Sequence, residues 1–395
     1  MSSGKQYAGG LVGYADGNAS KGDGHFSGLT NYGNVEGTGN YIAGAFGYIK
    51  AHNHVEKCVN LASVKGSTGN FTSGFAGYGY ADFSDCLNAG KVEAEGYGAS
   101  GFVGEAFGST IRRCANTGSV TSSSENASAA NIAAAGFWTK GWGTAEDCMN
   151  LGEVKAPDFV AGMIGNWSSK CTAARCYTAA PVIVTAESAH TAAPFIASSP
   201  TDSEFTGNSY DSSLCAIADT INARAAEGVT STTLMSIDMG DEWLNLRATY
   251  PLIRSLADNP ALAIASIGTV YTASDDKADN VTAQFYIGWP GAELVWSMSP
   301  QLALNESDPG EVRPISLGDA WIKVATPDGL FSRTFAFTVN GIVGVDTVTD
   351  TAGPVHEEWY TLSGLKTDNP VSGQIYILRR VMSDGSVRVE KRIQR

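Results

Sequence analysis

A recurring beat of cysteine and asparagine constrains this chain more than any other feature. Cys58-Val59-Asn60, Cys86-Leu87-Asn88, Cys114-Ala115-Asn116 and Cys148-Met149-Asn150 are four copies of one unit, with cysteines 28, 28 and 34 residues apart. A Gly or Ala two residues past each Asn and a Val four past it complete the unit, as in Asn88…Gly90…Val92. Self-similarity at a period of this size marks a stacked solenoid, in which each repeat buries its apolar face against its neighbours. The beat extends back to Leu29-Thr30-Asn31, with Leu in the Cys slot, and forward to Cys176-Tyr177-Thr178, with the Asn lost.

A second beat lies between the first ones. It reads Gly10…Gly13-Tyr14, Gly44…Gly47-Tyr48, Gly74…Gly77-Tyr78, Gly101…Gly104 and Gly162…Gly165, with Gly136-Phe137-Trp138 as a broken copy. Glycine at this density excludes helices, at about 1 kcal/mol each relative to Ala. Short alternating segments bounded by Gly, Asn, Ser and Asp read as strands and turns. Stacking coils at about 4.8 Å buries the apolar face and satisfies the backbone together. The fold expected is all-β: a right-handed parallel β-helix. Cys, Val, Phe and Leu point inward on their own kind. The Asn rungs sit at a corner, where each amide bonds those above and below and a left-handed backbone is tolerated.

The length allows two or three domains. Residues 1–258 are expected to form the rod, with regular coils over 8–185 and, over 186–258, the end of the rod with a cap that blocks the exposed strand edge. Residues 214–227 are rich in helix formers, and Thr230–Met235 opens a second short helix. Residues 259–342 alternate as strands separated by turn signals such as Asp308-Pro309-Gly310, which fits a small β-sandwich. Residues 343–395 form a small β-domain. Its clearest element is a hairpin, Ile375–Met382 and Val387–Ile393, around an Asp384-Gly385 turn.

The formal net charge is −14, with few Lys and Arg, which disfavours nucleic acid and anionic membranes as partners. No apolar run is long enough for a transmembrane helix. The start, Met1-Ser2-Ser3-Gly4-Lys5, lacks a signal-peptide pattern, and a rung already present at Gly9 is expected of a mature or trimmed form. The rung cysteines read as buried thiols acting as small hydrophobes, with Cys171 and Cys176 the pair most open to bridging. CxxC pairs are absent, so zinc is not indicated.

The Gly44…Gly47-Tyr48 and Cys58-Val59-Asn60…Val64 repeats resemble the GLUG motif of bacterial surface proteins over about residues 8–185. Trp243…Tyr250-Pro251-Leu252 is similar to the ending that follows such arrays. Residues 259–342, with Ser316–Ile322 and Arg333–Val339, resemble bacterial immunoglobulin-like domains. The tail, with Trp359–Leu365 and Gly373–Ile377, looks like the C-terminal β-domains of exported proteins, some of which are sorting signals; Asp384–Arg388 departs from that signal's shorter ending. The resemblance implies a secreted or cell-surface, adhesin-like protein. Some relatives of that type are metallopeptidases, but His356-Glu357-Glu358-Trp359-Tyr360 has Tyr where the second zinc-binding His of HExxH must stand.

Several residue sets invite chemistry. Glu36, Glu93 and Glu153 each neighbour the repeat Val and could stack two coils apart, too far for a retaining glycosidase pair. His52 and His54 could form a metal pair lacking a third ligand. Asp16, Asn18, Ser20, Asp23 and His25 form an oxygen-rich stretch without the terminal Glu of an EF-hand loop. Aromatic residues carry the binding hypothesis. Tyr80, Tyr97, Trp138, Trp142 and Trp167 lie in or beside the Gly-rich rungs, and flat exposed rings suit sugars or protein hot spots. Trp138–Trp142 falls in the coil with about six extra residues and is expected to protrude. Tyr14, Tyr48 and Tyr78 are expected to stack as a ladder. The function expected is a non-enzymatic, monomeric adhesin-like binder without cofactor, whose ligand is a glycan or a surface protein on another cell. The alternatives are a carbohydrate-active β-helix enzyme and a structural spacer.

Overall fold

The computed structural model describes residues 2–3, 6–17, 20, 23–186, 192–215, 217, 224–342, 354–382 and 387–393. They fall into two compact units, Met1–Ile342 and Val343–Arg395.

The first unit is built on a parallel β-solenoid of about six turns. One coil passes through Phe46–Ile49, Asn53–Glu56, Val59–Asn60, Val64–Gly66 and Thr72–Ser73 before the next begins. Each segment pairs in parallel with its counterparts one coil above and below, so four sheets run along the solenoid. We call them by their contents: the asparagine wall (Val59–Asn60 and its equivalents), the valine wall (Val64–Gly66), the serine wall (Thr72–Ser73) and the aromatic wall (Phe46–Ile49 with Asn53–Glu56).

The cysteines are vertical neighbours, as the beat requires. The carbonyls of Cys58, Cys86, Cys114 and Cys148 accept from the N–H of Leu87, Ala115, Met149 and Tyr177 at 2.9–3.1 Å. All seven cysteines are buried thiols outside any disulfide, Cys171 and Cys176 included. Burial pushes the Cys86, Cys114 and Cys148 thiols up, which keeps them in the unreactive protonated form.

The asparagines form a one-way amide ladder. Asn31 donates from Nδ2 to Oδ1 of Asn60 at 2.8 Å, and Asn60, Asn88 and Asn116 each donate to the next at 2.7 Å. Each Nδ2 also donates to the carbonyl two residues on, and each Oδ1 accepts that residue's N–H. The two sequence beats interlock here. A Cβ at Gly44, Gly74, Gly101 or Gly136 would lie 2.1–2.2 Å from the amide nitrogen of Asn60, Asn88, Asn116 or Asn150. Those glycines are small because an amide occupies the space.

The left-handed corner is not at the asparagines. A left-handed corner falls instead on the residue before each of Cys58, Cys86, Cys114, Cys148 and Cys176: Lys57, Asp85, Arg113, Asp147 and Arg175 have φ between +49° and +55°. Their charges alternate, and Arg113 and Arg175 each clasp the Asp one coil below with two hydrogen bonds of 2.7–3.0 Å.

Of the stretch expected to end the rod and cap it, residues 192–211 add one more coil, whereas the remainder does something else. Residues 230–262 run back along the side of the solenoid as a strap over the asparagine wall. In a strand with Cys and Asn inward, the residue between them faces out. Leu87, Ala115, Met149 and Tyr177 therefore form an apolar outer row, and they are buried against Leu234, Met235, Trp243, Tyr250 and Leu252. The strap is pinned to the charge column, with Trp243 Nε1 donating to Asp147 at 3.0 Å and Ser255 Oγ to Asp85 at 2.6 Å. Of the helix expected over 214–227, residues 216 and 218–223 lie outside the described residues, and its end is a strand, Glu227–Val229, paired with Ser209–Asp211. The short helix Ser231–Leu234, capped by Thr230, is present.

Asn259 then caps a helix, Pro260–Ser266. Ala261 and Leu262 belong to the strap's core, whereas Ile264 and Ile267 belong to the next one. Two antiparallel sheets follow, of four and three strands, sharing a core that includes Phe285, Val312, Ile322 and Phe337. The second unit is one antiparallel sheet in the order Lys366–Thr367, Pro354–Tyr360, Ile375–Met382, Val387–Ile393. The expected hairpin is its second half; the turn residues 383–386 lie outside the described set.

Candidate functional site

Along each strand of the aromatic wall alternate residues face the core and the outside. One outer column is Tyr14, Tyr48, Tyr78, Glu105, Lys140 and Asn166. A second is His25, His54, Asp82, Thr110 and Thr144. Between them the chain bends, and Tyr80, Gly108 and Trp142 stand at that bend in successive coils.

The expected tyrosine ladder is present. Tyr14 and Tyr48 stack at 5.4 Å and 15°, Tyr48 and Tyr78 at 4.1 Å and 3°. Ring faces spent on each other are not free for a ligand, so this column stabilises the wall and offers mainly edges and hydroxyls. Tyr41 packs edge-on against it and donates to Glu105 at 2.7 Å. Burial and that carboxylate push the Tyr41 phenol well up.

The five aromatic candidates separate. Trp138 and Trp167 are core residues, 0% and 1% exposed, so neither ring meets solvent. They pack edge to face at 5.6 Å. Trp138 Nε1 donates to the Lys140 carbonyl at 2.8 Å, whereas Trp167 Nε1 is buried without a hydrogen-bond partner. The reason is strand parity: Trp138 aligns with Val103 and Ile164, both inward. Nor does 138–142 protrude. It lies within the strand Trp138–Glu146, and the extra residues of this coil form the connection between Val120–Ser122 and Ala134–Ala135. Tyr97 is half-buried, edge-on to Phe71 at 5.5 Å.

Tyr80 and Trp142 remain, 41% and 38% exposed. They lean over the same glycine. A Cβ at Gly108, where φ is +71°, would meet Trp142 Cη2 at 2.8 Å and Tyr80 Cε2 at 2.9 Å. The bare backbone of Gly108 is thus the floor of a two-ring platform.

A polar groove of about 310 Å³ adjoins it, lined by Tyr80 and Gly108 together with Asp23, His52, His54 and Asp82. A second, of about 430 Å³, shares His54 and Asp82 and continues to His25, Glu56 and Arg112. Asp23 lies between two imidazoles, 3.4 Å from His52 Nδ1 and 3.6 Å from His54 Nε2. The other nitrogen of His54 is 3.5 Å from Asp82, and its ring stacks on His25 at 5.1 Å. His52 takes up a left-handed corner, φ +62°. Among the described residues no group of three His, Cys, Asp or Glu is arranged to hold a metal ion. The Asp16–His25 stretch, part of which lies outside the described residues, sends its two carboxylates apart: Asp16 pairs with Lys50 at 3.0 Å, Asp23 with the imidazoles.

The carboxylates of the valine wall do not converge. Glu36 and Glu93 align two rungs apart, about 10 Å, with Lys65 between them. Glu153 precedes its Val where the other two follow theirs, so the row continues through Thr121 to Lys155 instead. The near-HExxH stretch is a strand, and Glu358 there is held by Tyr360, Lys366 and Arg379.

Asp82 and the column it shares with His25 and His54 were missed by motif reasoning. The signal was present, since 25, 54 and 82 differ by 29 and 28, the spacings of Leu29, Cys58 and Cys86 in the repeat. No family model, curated protein or solved structure matches this chain. No helix among the described residues is long and apolar enough to cross a membrane.

Proposed function

We propose that this protein is a non-enzymatic, adhesin-like binding protein of the cell exterior whose solenoid holds a glycan on its aromatic wall. The observation that carries the reading is the Tyr80–Gly108–Trp142 platform with a carboxylate- and imidazole-lined groove at its edge. A sugar ring has an apolar face that packs on aromatic rings and a rim of hydroxyls that need acceptors and donors. The platform meets the first need, and Asp23, Asp82, His52 and His54 meet the second. The resemblance of the repeats to GLUG-type surface proteins supports display outside the cell. The valine-wall carboxylates, separated by Lys65, support binding over turnover there.

A glycan array on the full chain, followed by calorimetry on the best ligand, tests the proposal. Trp142→Ala and Tyr80→Ala should each weaken binding at least tenfold while leaving the melting temperature within about 2 °C. A glycan that binds equally well to both variants, or a panel with no binder, overturns it. Hydrolysis of a bound glycan, lost in Asp82→Asn, would move the reading to a carbohydrate-active enzyme.

A further inference from the structure

The groove beside Tyr80 is unbalanced in charge. Asp23 and Asp82 open onto it with side chains 47% and 53% exposed, and the ion pairs of the described residues join neither to a Lys or an Arg. Their partners are the imidazoles of His52 and His54. The guanidinium groups nearby are committed elsewhere. Arg112 pairs with Glu146 at 2.7 Å, and Arg113 clasps Asp85 with bonds of 2.7 and 3.0 Å. Glu56, further along the same wall, accepts from the Ser27 hydroxyl at 2.9 Å and adds negative charge. Two exposed rings complete the surroundings, and an aromatic face attracts a cation through its quadrupole.

Carboxylates that no Lys or Arg among the described residues pairs with and open aromatic faces act in the same direction. Each favours a cation, each disfavours an anion, and a neutral ring stands between. Resting on the glycan reading above, we propose that the ring this site prefers carries a positive charge: a de-acetylated amino sugar, selected over its N-acetylated form and over a uronic acid. The platform supplies affinity for a pyranose ring in general. Asp23 and Asp82 supply the discrimination by charge.

The test compares three oligosaccharides of equal length at pH 8 and 150 mM NaCl by calorimetry on the full chain. They are an N,N,N-trimethylated chito-oligosaccharide, whose charge is independent of pH, its N-acetylated counterpart, and an oligogalacturonate. The trimethylated ligand should bind at least tenfold more tightly than the acetylated one, and the uronate should not bind measurably. In the Asp23→Asn/Asp82→Asn double variant that preference should fall below threefold, because the charged ligand loses the attraction of both carboxylates whereas the acetylated one loses only hydroxyl contacts. A melting temperature within about 2 °C of the parent's shows that the variant is folded. Glu93→Gln, on the valine wall, should leave the preference intact, which separates a local effect from the negative charge of the whole chain. Equal binding of the charged and acetylated ligands overturns the proposal, as does a preference that survives the double variant or is lost equally in Glu93→Gln. Binding of none of the three overturns the glycan reading and this one with it, so the two failures are told apart.

Discussion

At the scale of single residues the amide ladder is the most exacting feature. It is polar yet 0% exposed from Asn60 to Asn150, and it is directional. Asn88 accepts from Asn60 below, donates to Asn116 above, and closes on Gly90 in both senses. Asn88→Ala strands a donor on Asn60 and an acceptor on Asn116, so we expect a loss of about 3 kcal/mol in urea unfolding. Asn88→Asp is the sharper test. An Asp can accept from Asn60 but, ionised, cannot donate to Asn116 or Gly90. It would also be a buried carboxylate, so its pKa in the folded protein must lie above that in the unfolded chain. Stability then falls as pH rises through the unfolded value near 4 and continues to fall up to the folded value. Unfolding at pH 7 and pH 4 should show Asn88→Asp recovering part of its deficit in acid, a recovery Asn88→Ala does not share. Equal deficits at both pH values would remove the directional account.

Among the elements, the strap shows how an outward apolar row is closed without a second solenoid face. Trp243 both packs beside Tyr177, ring centroids 5.5 Å apart, and donates to Asp147. Two substitutions divide those roles. Trp243→Phe keeps most of the packing and loses one hydrogen bond, for about 1 kcal/mol. Trp243→Ala should cost about 4 kcal/mol and expose the Met149–Tyr177 row to hydrogen exchange. If both variants exchange alike there, the strap is not held by packing. The strap was the element least legible in the sequence, because its apolar residues keep no period of their own. The signal sat instead on the wall it covers. With Cys and Asn inward by alternation, the column Val59, Leu87, Ala115, Met149, Tyr177 had to face out, and an apolar outward column calls for a cover. The functional face was legible in the same indirect way. Motif reading found His52 and His54 but not Asp82, because the cluster is a vertical column that appears only once the period is used as a ruler. Parity likewise decides among the tryptophans: Trp138 and Trp142 are neighbours in sequence, yet Trp138 falls on an inward position and Trp142 at the bend, and composition alone does not tell them apart.

Over the whole molecule, the two units differ in what secures them. In the first, period translates directly into vertical register, so the strand pairing of the coils could be read before any coordinates. The second, residues 354–393, has no repeat to read and little interior among its described residues: Tyr376 and Leu378 are buried, while Ile375, Val387, Val389 and Ile393 are 45–63% exposed. Charge therefore carries more of its organisation. Hydrogen bonds from Lys366, Arg379 and Tyr360 hold Glu358 down to about 2, well below the usual carboxylate range. A depressed carboxylate stabilises the folded sheet fully above its unfolded value, near 4, and that contribution is lost as pH falls toward 2. The acid arm of hydrogen exchange should show it: amides of Ile375–Val381 should lose protection between pH 4 and 2. Glu358→Gln should be less protected at pH 7 and nearly insensitive across the same interval, because it has no proton to take up. The amide ladder contains no titrating group, so amides beside Asn88 should keep their protection through that interval, and a simultaneous loss there would show that the two units do not unfold by separate causes.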